Sequence, residues 1–483
     1  MLPATLTLLA LYALSVLWVA KRFERASDAN TLDGFFLANK QLGHWPVALT
    51  LVATWFGGTS TIGSLQAFYT HGVSAFWKLI FPSIGCWLIV IFCFARQMAL
   101  QPGRSMPEAL SGTYGPTART LLAITITAST TALMASQLVA SHQVLAGLLG
   151  GALDPIITMG LVAGMVVVYT ALGGYKAVVM TDILQVGFII LGLLVLLGAF
   201  FPPFTQLGWQ GFWANVSQAR PDSFWHLMDN PGKQIVLMLT FVMAWSIAPE
   251  LWQRLTSLNL KAGEQFAKKS CWLALLILTA LYALVSLIGL AAPGILPPVA
   301  EAPGAVMLAL MQSLHNPWLG ALVLTGFIAA ISSTIDSTLN VGSLTLVNDV
   351  LIPLRPSLAQ QPATIVRLCK LSTLVMALPA LWIAVQHQDI INALWISADI
   401  YACAMFVPVV ALLYSNARFT PTASAGVWAM ATGLGWITLN TLMQSRHWLP
   451  HWPEAPYSTL YGVSLSLLAF YAGQVYSRKV VAN

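Results

Sequence analysis

Apolar runs of about 20 residues recur along the whole chain, and this length crosses a roughly 30 Å hydrocarbon layer as an α-helix. The chain is 58% apolar and 8% charged, whereas soluble domains are about 45–50% apolar and about 25% charged. The runs lie at residues 3–20, 46–70, 73–95, 119–147, 153–172, 177–201, 234–253, 270–291, 317–345, 365–386, 390–414, 421–443 and 458–476. The sequence therefore predicts an all-α polytopic membrane protein with about 13 transmembrane helices, and it excludes a soluble enzyme and a disulfide scaffold.

The basic residues predict the orientation of these helices. Lys21, Arg22 and Arg25 directly follow the first run, which places the N-terminus outside because basic loops stay cytoplasmic. With the predicted spans threaded from there, the C-terminus is cytoplasmic. Of the 22 Lys and Arg residues, the outer side receives only Lys78, Arg220, Lys233 and Arg446. Because the basic residues are scattered singly, no nucleic-acid partner is predicted.

Two of the spans carry helix-breaking residues at corresponding places. The span 46–70 contains Gly57 and Gly58 beside hydroxyl residues, and the span 234–253 contains Pro249. Interrupted helices at matching positions are typical of inverted-repeat transporters, and unwound backbone is tolerated in a membrane only where it lines a cavity. We therefore predict a five-plus-five inverted repeat with broken first and sixth core helices. The single membrane domain 1–483 then comprises an extra helix at 3–20, repeats at 46–201 and 234–414, and two C-terminal helices within 421–476.

The carboxylates of Asp182 and Asp336 lie inside predicted spans. An aspartate at the bilayer centre costs about 2.5–3.5 kcal/mol on insertion scales, so such residues are functional candidates. Ser333, Thr334 and Ser337 follow helical spacing beside Asp336 and can share one face. Such oxygen ligands suit a hard alkali cation rather than zinc or copper. The alternatives are helix packing for the hydroxyls, a structural hydrogen bond for Asp336 and interfacial hydration for Asp182.

Glu250 and Arg254 are a further charged pair near the inner end of the seventh span. The glutamate lies four residues before the arginine, which is the favourable order for an ion pair along a helix. The sequence therefore predicts that ion pair, and a role of Glu250 in substrate binding is the alternative.

Three segments give the chain its resemblance to a known family. They are Ala329-Ala330-Ile331-Ser332-Ser333-Thr334, Gly173-Gly174-Tyr175-Lys176-Ala177-Val178 followed by Thr181-Asp182, and Trp252-Gln253-Arg254. Together they resemble the sodium/solute symporter family over residues of about 30 to 415. The resemblance implies the leucine-transporter type of fold and one or two co-transported Na⁺ ions.

The same resemblance implies positions for the sodium ligands. The sodium site shared across the family matches backbone or hydroxyl oxygens of Ala53, Phe56, Ala330, Ser333 and Thr334. A second cation site, found in some members, matches Ser60, Asp182, Asp336 and Ser337. Asp336 departs from the more usual small residue, and it could carry a proton or tune the affinity for sodium.

The residues that would bind the solute are less sharply indicated. Trp55, followed by Gly57 and Gly58, resembles the high-affinity choline transporter branch, in which an indole contributes to an aromatic cage for a quaternary ammonium. The proline branch carries an aspartate at the position of Trp55, which disfavours proline. Trp245 and Gln137 are the other candidate substrate-binding residues, while packing or gating is the alternative for Trp55.

These observations predict a sodium-coupled symporter that imports a small polar, zwitterionic or cationic organic solute by alternating access. Its predicted location is the plasma membrane, which is the inner membrane if the source is bacterial, and its partners are the solute, sodium and membrane lipid. No nucleophile, base or metal cluster points to an enzyme, and no obligate protein partner is evident. A transporter of an amino acid, sugar or carboxylate, or a symporter-like sensor without net transport, is the alternative.

Overall fold

The computed structural model describes residues 2–24, 31–148, 154–299, 304–386, 390–446 and 452–482. Arg25 and residue 153, which entered the orientation and span predictions, lie outside these ranges. Across the described ranges the fold is all-helical and contains no β-strand. The principal helices are α1 (Leu2–Glu24), α2 (Leu32–Leu37), α3 (His44–Trp55), α4 (Ser64–His71), α5 (Ile80–Ile89), α6 (Ala95–Ala99), α7 (Met106–Leu148), α8 (Pro155–Gly198), α9 (Phe201–Ala219), α10 (Pro231–Trp245), α11 (Pro249–Thr256), α12 (Phe266–Ala291), α13 (Ala305–Ser313), α14 (Pro317–Leu344), α15 (Ile352–Leu354), α16 (Pro362–Gln386), α17 (Ile390–Ile400), α18 (Val407–Leu413), α19 (Ala423–Arg446) and α20 (Tyr457–Ala482).

Eight helices in this described part are long and apolar enough to cross a membrane, or nine if the bent pair α10 and α11 is one span. Helices α19 and α20 cover the last two predicted spans but are not among them. The count of 13 crossings therefore stays a prediction.

One helix, α8, contains two of the predicted spans. As one straight helix its 44 residues would extend over roughly 66 Å, about twice the hydrocarbon thickness. Gln185 Nε2 and the hydroxyl of Tyr169 lie only 3.4 Å apart, so the chain folds back between them and the two halves pack side by side. Gly174 divides the helix because its φ is 60° and ψ is −163°, a conformation that favours glycine. A Cβ there would also lie 2.8 Å from the carbonyl oxygen of Phe35. The boundary expected between residues 172 and 177 is therefore a sharp reversal of the chain at Gly174, which separates two packed helical halves.

Helix α14 forms the centre of the fold. Every residue from Val323 to Leu344 is buried, since α14 packs against α8, α7, α3 and α1. A helix that is buried on all sides has no lipid-facing stripe, and its polar side chains must find partners inside the protein. Helix α14 thus presents its serines, threonines and aspartate to the neighbouring helices.

Candidate functional site

The first break lies where the sequence predicts it, after α3. The helix ends at Trp55, and Phe56 leaves the helical conformation with φ −95° and ψ 60°. The chain then resumes as a π-helical turn over Thr59–Gly63 before α4. A break of this kind frees backbone carbonyls that an intact helix would use for its own hydrogen bonds.

The hydroxyls of α14 meet these carbonyls. Ser333 Oγ lies 2.8 Å from the carbonyl oxygen of Ala53 and 2.9 Å from that of Ala330, and it donates to both. Thr334 Oγ1 lies 3.2 Å from the carbonyl oxygens of Thr54 and Ala330. The structure thus brings together four of the five residues expected at the shared sodium site. The fifth, Phe56, forms the break itself.

The paired glycines allow this close approach. The amide N–H of Gly58 donates to Oε1 of Gln137 on α7 at 2.8 Å. A Cβ on Gly57 would overlap Thr334 Oγ1 and lie 2.9 Å from Gln137 Oε1, and a Cβ on Gly58 would lie 2.8 Å from the Cβ of Ala140. Side chains at either position would push the break away from α7 and α14.

A second polar cluster lies deeper between α3, α8, α11 and α14. The carboxylate of Asp182 accepts a short hydrogen bond from the hydroxyl of Thr50. Its Oδ2 also lies 3.8 Å from Nη2 of Arg254, and neither side chain is exposed. The same Nη2 donates to Ser337 Oγ at 2.5 Å. Asp182 and Ser337 therefore share one buried guanidinium, which sequence reasoning did not place here.

Asp336 lies beside this cluster and faces α8. Its Oδ2 accepts a hydrogen bond from the hydroxyl of Tyr169 at 2.7 Å, and its Oδ1 accepts one from Ser337 at 3.2 Å. Gln185 Nε2 joins this network, donating to the hydroxyl of Tyr169 at 3.4 Å and to that of Tyr12 at 2.9 Å. Asp336 is fully buried with neutral donors around it. The aromatic hydroxyls had no signal in the local sequence pattern.

Ser60, the fourth residue expected at the second cation site, is engaged elsewhere. Its hydroxyl donates to the carbonyl oxygen of Trp55 at 3.0 Å, within the break. Its side chain lines a cavity rather than joining the hydrogen bonds of Asp182 and Asp336. The structure therefore assembles three of the four expected residues, and Thr50 and Arg254 complete the cluster.

A cavity of about 70 Å³ lies at the two breaks. Trp55 lies on its wall, with Nε1 donating to Ser83 Oγ at 2.7 Å. The ring centroid of Trp55 is 6.2 Å from that of Trp245. Four of the five residues expected to bind the solute, all but Gly58, therefore line this cavity. The lining comprises Leu51, Thr54, Trp55, Gly57, Thr59, Ser60, Leu79, Leu133, Gln137, Phe241, Trp245, Ala248, Glu250, Leu251, Arg254, Thr334 and Leu394.

The second break, between α10 and α11, bends the chain by 45°. Helix α10 ends at Trp245, and Pro249 and Glu250 begin α11. The predicted ion pair between Glu250 and Arg254 is wrong. Arg254 contacts the main-chain oxygen of Glu250, at 3.2 Å, and not its carboxylate, and its guanidinium turns towards Asp182. Both carboxylate oxygens of Glu250 accept instead from the hydroxyl of Tyr401, at 3.1 and 3.3 Å. The glutamate therefore belongs to the cavity.

A sequence model of the sodium:solute symporter family matches residues 35–433 of the chain. The sodium/proline symporter of Salmonella typhimurium is 24% identical over 409 residues, which cover 81% of this chain and 80% of that protein. A substrate-bound, outward-open Na⁺-coupled sialic acid symporter has a TM-score of 0.75 at 18% identity, over 98% of this chain and 97% of its own. MhsT in complex with L-phenylalanine has a TM-score of 0.51 at 12% identity, over 89% and 98%. The chain therefore has the fold of these proteins.

Proposed function

Because this chain belongs to the sodium:solute symporter family, we propose that it imports a small polar, zwitterionic or cationic organic solute by alternating access. Sodium is the co-transported ion, and the protein is a multi-pass protein of the plasma membrane. We propose in addition the direction of transport, the class of solute and the sites for ion and solute.

One observation carries the proposal: hydroxyls of α14 lie against the carbonyls freed at the break after α3. Ser333 Oγ is 2.8 Å from the carbonyl oxygen of Ala53, and Thr334 Oγ1 is 3.2 Å from that of Thr54. Carbonyl and hydroxyl oxygens from two separate elements suit a hard cation. A sodium ion held there would favour the arrangement in which the two helices meet. A ligand shifts such an equilibrium only by its differential affinity for the two states.

The cluster around Asp182, Asp336 and Ser337 supports a second cation site, with Ser60 on the cavity side of it. In the structure Arg254 already contacts Ser337 and Asp182. A sodium ion would therefore share this cluster with the guanidinium of Arg254. Its binding requires either that Asp336 acts as a ligand or that Arg254 moves away from Ser337 and Asp182. We propose one cotransport site for sodium at the break and a second at this cluster.

We also propose the arrangement of the chain that the basic residues and breaks indicate. The repeats 46–201 and 234–414 would be inverted five-helix units, with 3–20 outside the core and 421–476 following it. The N-terminus would lie outside and the C-terminus in the cytoplasm. The two observed breaks, after Trp55 and after Trp245, lie near equivalent positions of the repeats, which supports this division.

The cavity between the breaks is the proposed solute site, with Trp55, Gly57, Gly58, Trp245 and Gln137 around it. Its walls combine indole rings with a few polar groups, as small-molecule sites commonly do. The sodium/proline symporters among the relatives indicate a zwitterionic amino acid as one solute of the proposed class. A sugar or carboxylate carrier, or a sensor of the same fold, is the second candidate because the cavity also holds Arg254 and Gln137.

The double substitution Ser333→Ala/Thr334→Ala tests the sodium site. We expect it to abolish the sodium-dependent rise in melting temperature of the purified protein and the sodium-driven uptake into proteoliposomes. Thr325→Ala is the matched control, since it removes another buried α14 hydroxyl, one that bonds only to Ala321 of its own helix at 2.8 Å. Unaltered sodium dependence in the double variant would refute the site.

A further inference from the structure

The carboxylate of Glu250 is the charged group of the cavity that the sodium sites do not use. It is 4% exposed and lies in the first turn of α11, directly after the second break. The position at a helix N-terminus favours negative charge there. Both of its oxygens accept from one side-chain donor, the hydroxyl of Tyr401, at 3.1 and 3.3 Å. Neutral donors compensate an ionised carboxylate in a buried site only in part.

The nearest basic residue, Arg254, is committed elsewhere. Its Nε donates to Thr50 Oγ1 at 3.2 Å and its Nη2 to Ser337 Oγ at 2.5 Å. Its ion pair is with Asp182, at 3.8 Å. A buried ion pair is favourable only where geometry and hydrogen bonds satisfy both partners. Among the described residues no basic side chain forms an ion pair with Glu250, so the cavity presents an acidic group that a cation entering it can pair with.

Three aromatic side chains, Trp55, Phe241 and Trp245, line the same cavity as Glu250. Trp245 lies between the other rings, with its centroid 6.2 Å from Trp55, 6.0 Å from Phe241 and 5.6 Å from Tyr401. Indole faces attract organic cations, and most strongly where water is excluded. A carboxylate within such a cluster of rings complements a positively charged nitrogen, whereas it repels a carboxylate or phosphate ligand.

We infer that Glu250 binds the cationic nitrogen of the transported solute, which is therefore an organic cation or a zwitterion whose ammonium reaches this residue. Tyr401 positions the carboxylate, and Trp55 and Trp245 flank the bound nitrogen. The inference rests on the proposed function, because it names the solute class of the same cavity. It narrows that class by excluding neutral and purely anionic solutes.

Thermal-shift titrations of the purified protein test this assignment. The compounds are choline, the neutral carbon isostere of choline, proline, glucose and citrate, each with and without sodium. We expect only the compounds with a cationic nitrogen to raise the melting temperature when sodium is present. Glu250→Gln keeps the size and the acceptor for Tyr401 but removes the charge. It should weaken the best-bound cation at least tenfold and abolish the preference for choline over its isostere.

The control is Glu264→Gln, the same change at a half-exposed glutamate paired with Arg96, and it should change neither affinity nor preference. Stabilisation by sodium alone should survive in Glu250→Gln, which separates this result from a failure of the sodium site. If that variant does not accumulate, Tyr401→Phe leaves the charge in place and should reduce the preference severalfold. Binding of citrate or glucose, or an unchanged affinity in Glu250→Gln, would overturn the inference while leaving sodium symport standing. Loss of sodium stabilisation in Glu250→Gln with the preference for choline intact would also overturn it, because Glu250 would then act on the ion and not on the solute.

Discussion

Gly57→Ala adds a single methyl group where the break meets both α7 and α14. The new Cβ would overlap Thr334 Oγ1 and lie 2.9 Å from Gln137 Oε1. Because Thr334 lies in the centre of a fully buried helix, its backbone has little room to retreat. The break must therefore move away from α14, which lengthens the contacts between the carbonyls after α3 and the α14 hydroxyls.

The cost follows from the overlap. Adding a methyl group to a packed interior typically costs about 1–3 kcal/mol. If that strain falls on the ion-bound arrangement, the apparent affinity for sodium drops by about 5- to 150-fold, at about 1.4 kcal/mol per tenfold. The measurement is a sodium titration of the melting temperature, with sodium-driven uptake of a bound solute as the second readout.

Gly63→Ala is the matched control, since it lies at the end of the same π-helical turn and its Cβ meets Thr59 Cγ2 at an ordinary 3.6 Å. Its sodium midpoint should lie close to that of the unmodified protein. A Gly57→Ala protein with an unchanged sodium midpoint would show that the contact between the break and Thr334 has no part in holding the ion.

Two further predictions concern the buried charges. Arg254→Gln leaves Asp182 without its cation, and breaking such a pair costs about 3–5 kcal/mol. The melting temperature should fall, and adding Asp182→Asn should recover part of the loss in a double-mutant cycle; an additive double variant would contradict the pairing. Tyr169→Phe removes the 2.7 Å hydrogen bond to Asp336, a loss of about 1–3 kcal/mol for a buried acceptor. Tyr175→Phe, whose hydroxyl makes a 3.3 Å contact to a serine, should cost less, and equal losses would show that Asp336 does not depend on its donor.

The breaks could be predicted from sequence because their causes are local. Paired glycines remove the side chains that would strike Gln137 and Thr334, and Pro249 cannot continue α10 because it lacks an amide hydrogen. The reversal of the chain at Gly174 has the same local origin, and it lies between the two spans that the sequence predicted at 153–172 and 177–201. The hydroxyl residues Ser333, Thr334 and Ser337 could be identified because their helical spacing lies within one short segment of the sequence.

The partners of the carboxylates could not be predicted in this way. Successive residues of an α-helix point about 100° apart, so Asp336 turns from the face of Ser337 towards Tyr169 of α8. Which helix lies on that side depends on the packing of the whole core, which local periodicity does not determine. The i, i+4 spacing of Glu250 and Arg254 favoured an ion pair, but Asp182 on α8 offers the guanidinium a more buried partner.

The buried charges give a physical reason for the cation sites proposed above. Asp182, Asp336 and Glu250 are each at most 4% exposed, and among the described residues Arg254 is the basic side chain buried with them. One guanidinium can compensate one carboxylate, and an ionised carboxylate left alone in a low-dielectric interior is strongly unfavourable. The other two are therefore the groups that cations entering the core would stabilise. With the proposed sodium ion near Asp336 and the proposed ammonium at Glu250, binding of the ion and binding of the solute would each remove part of the same electrostatic cost.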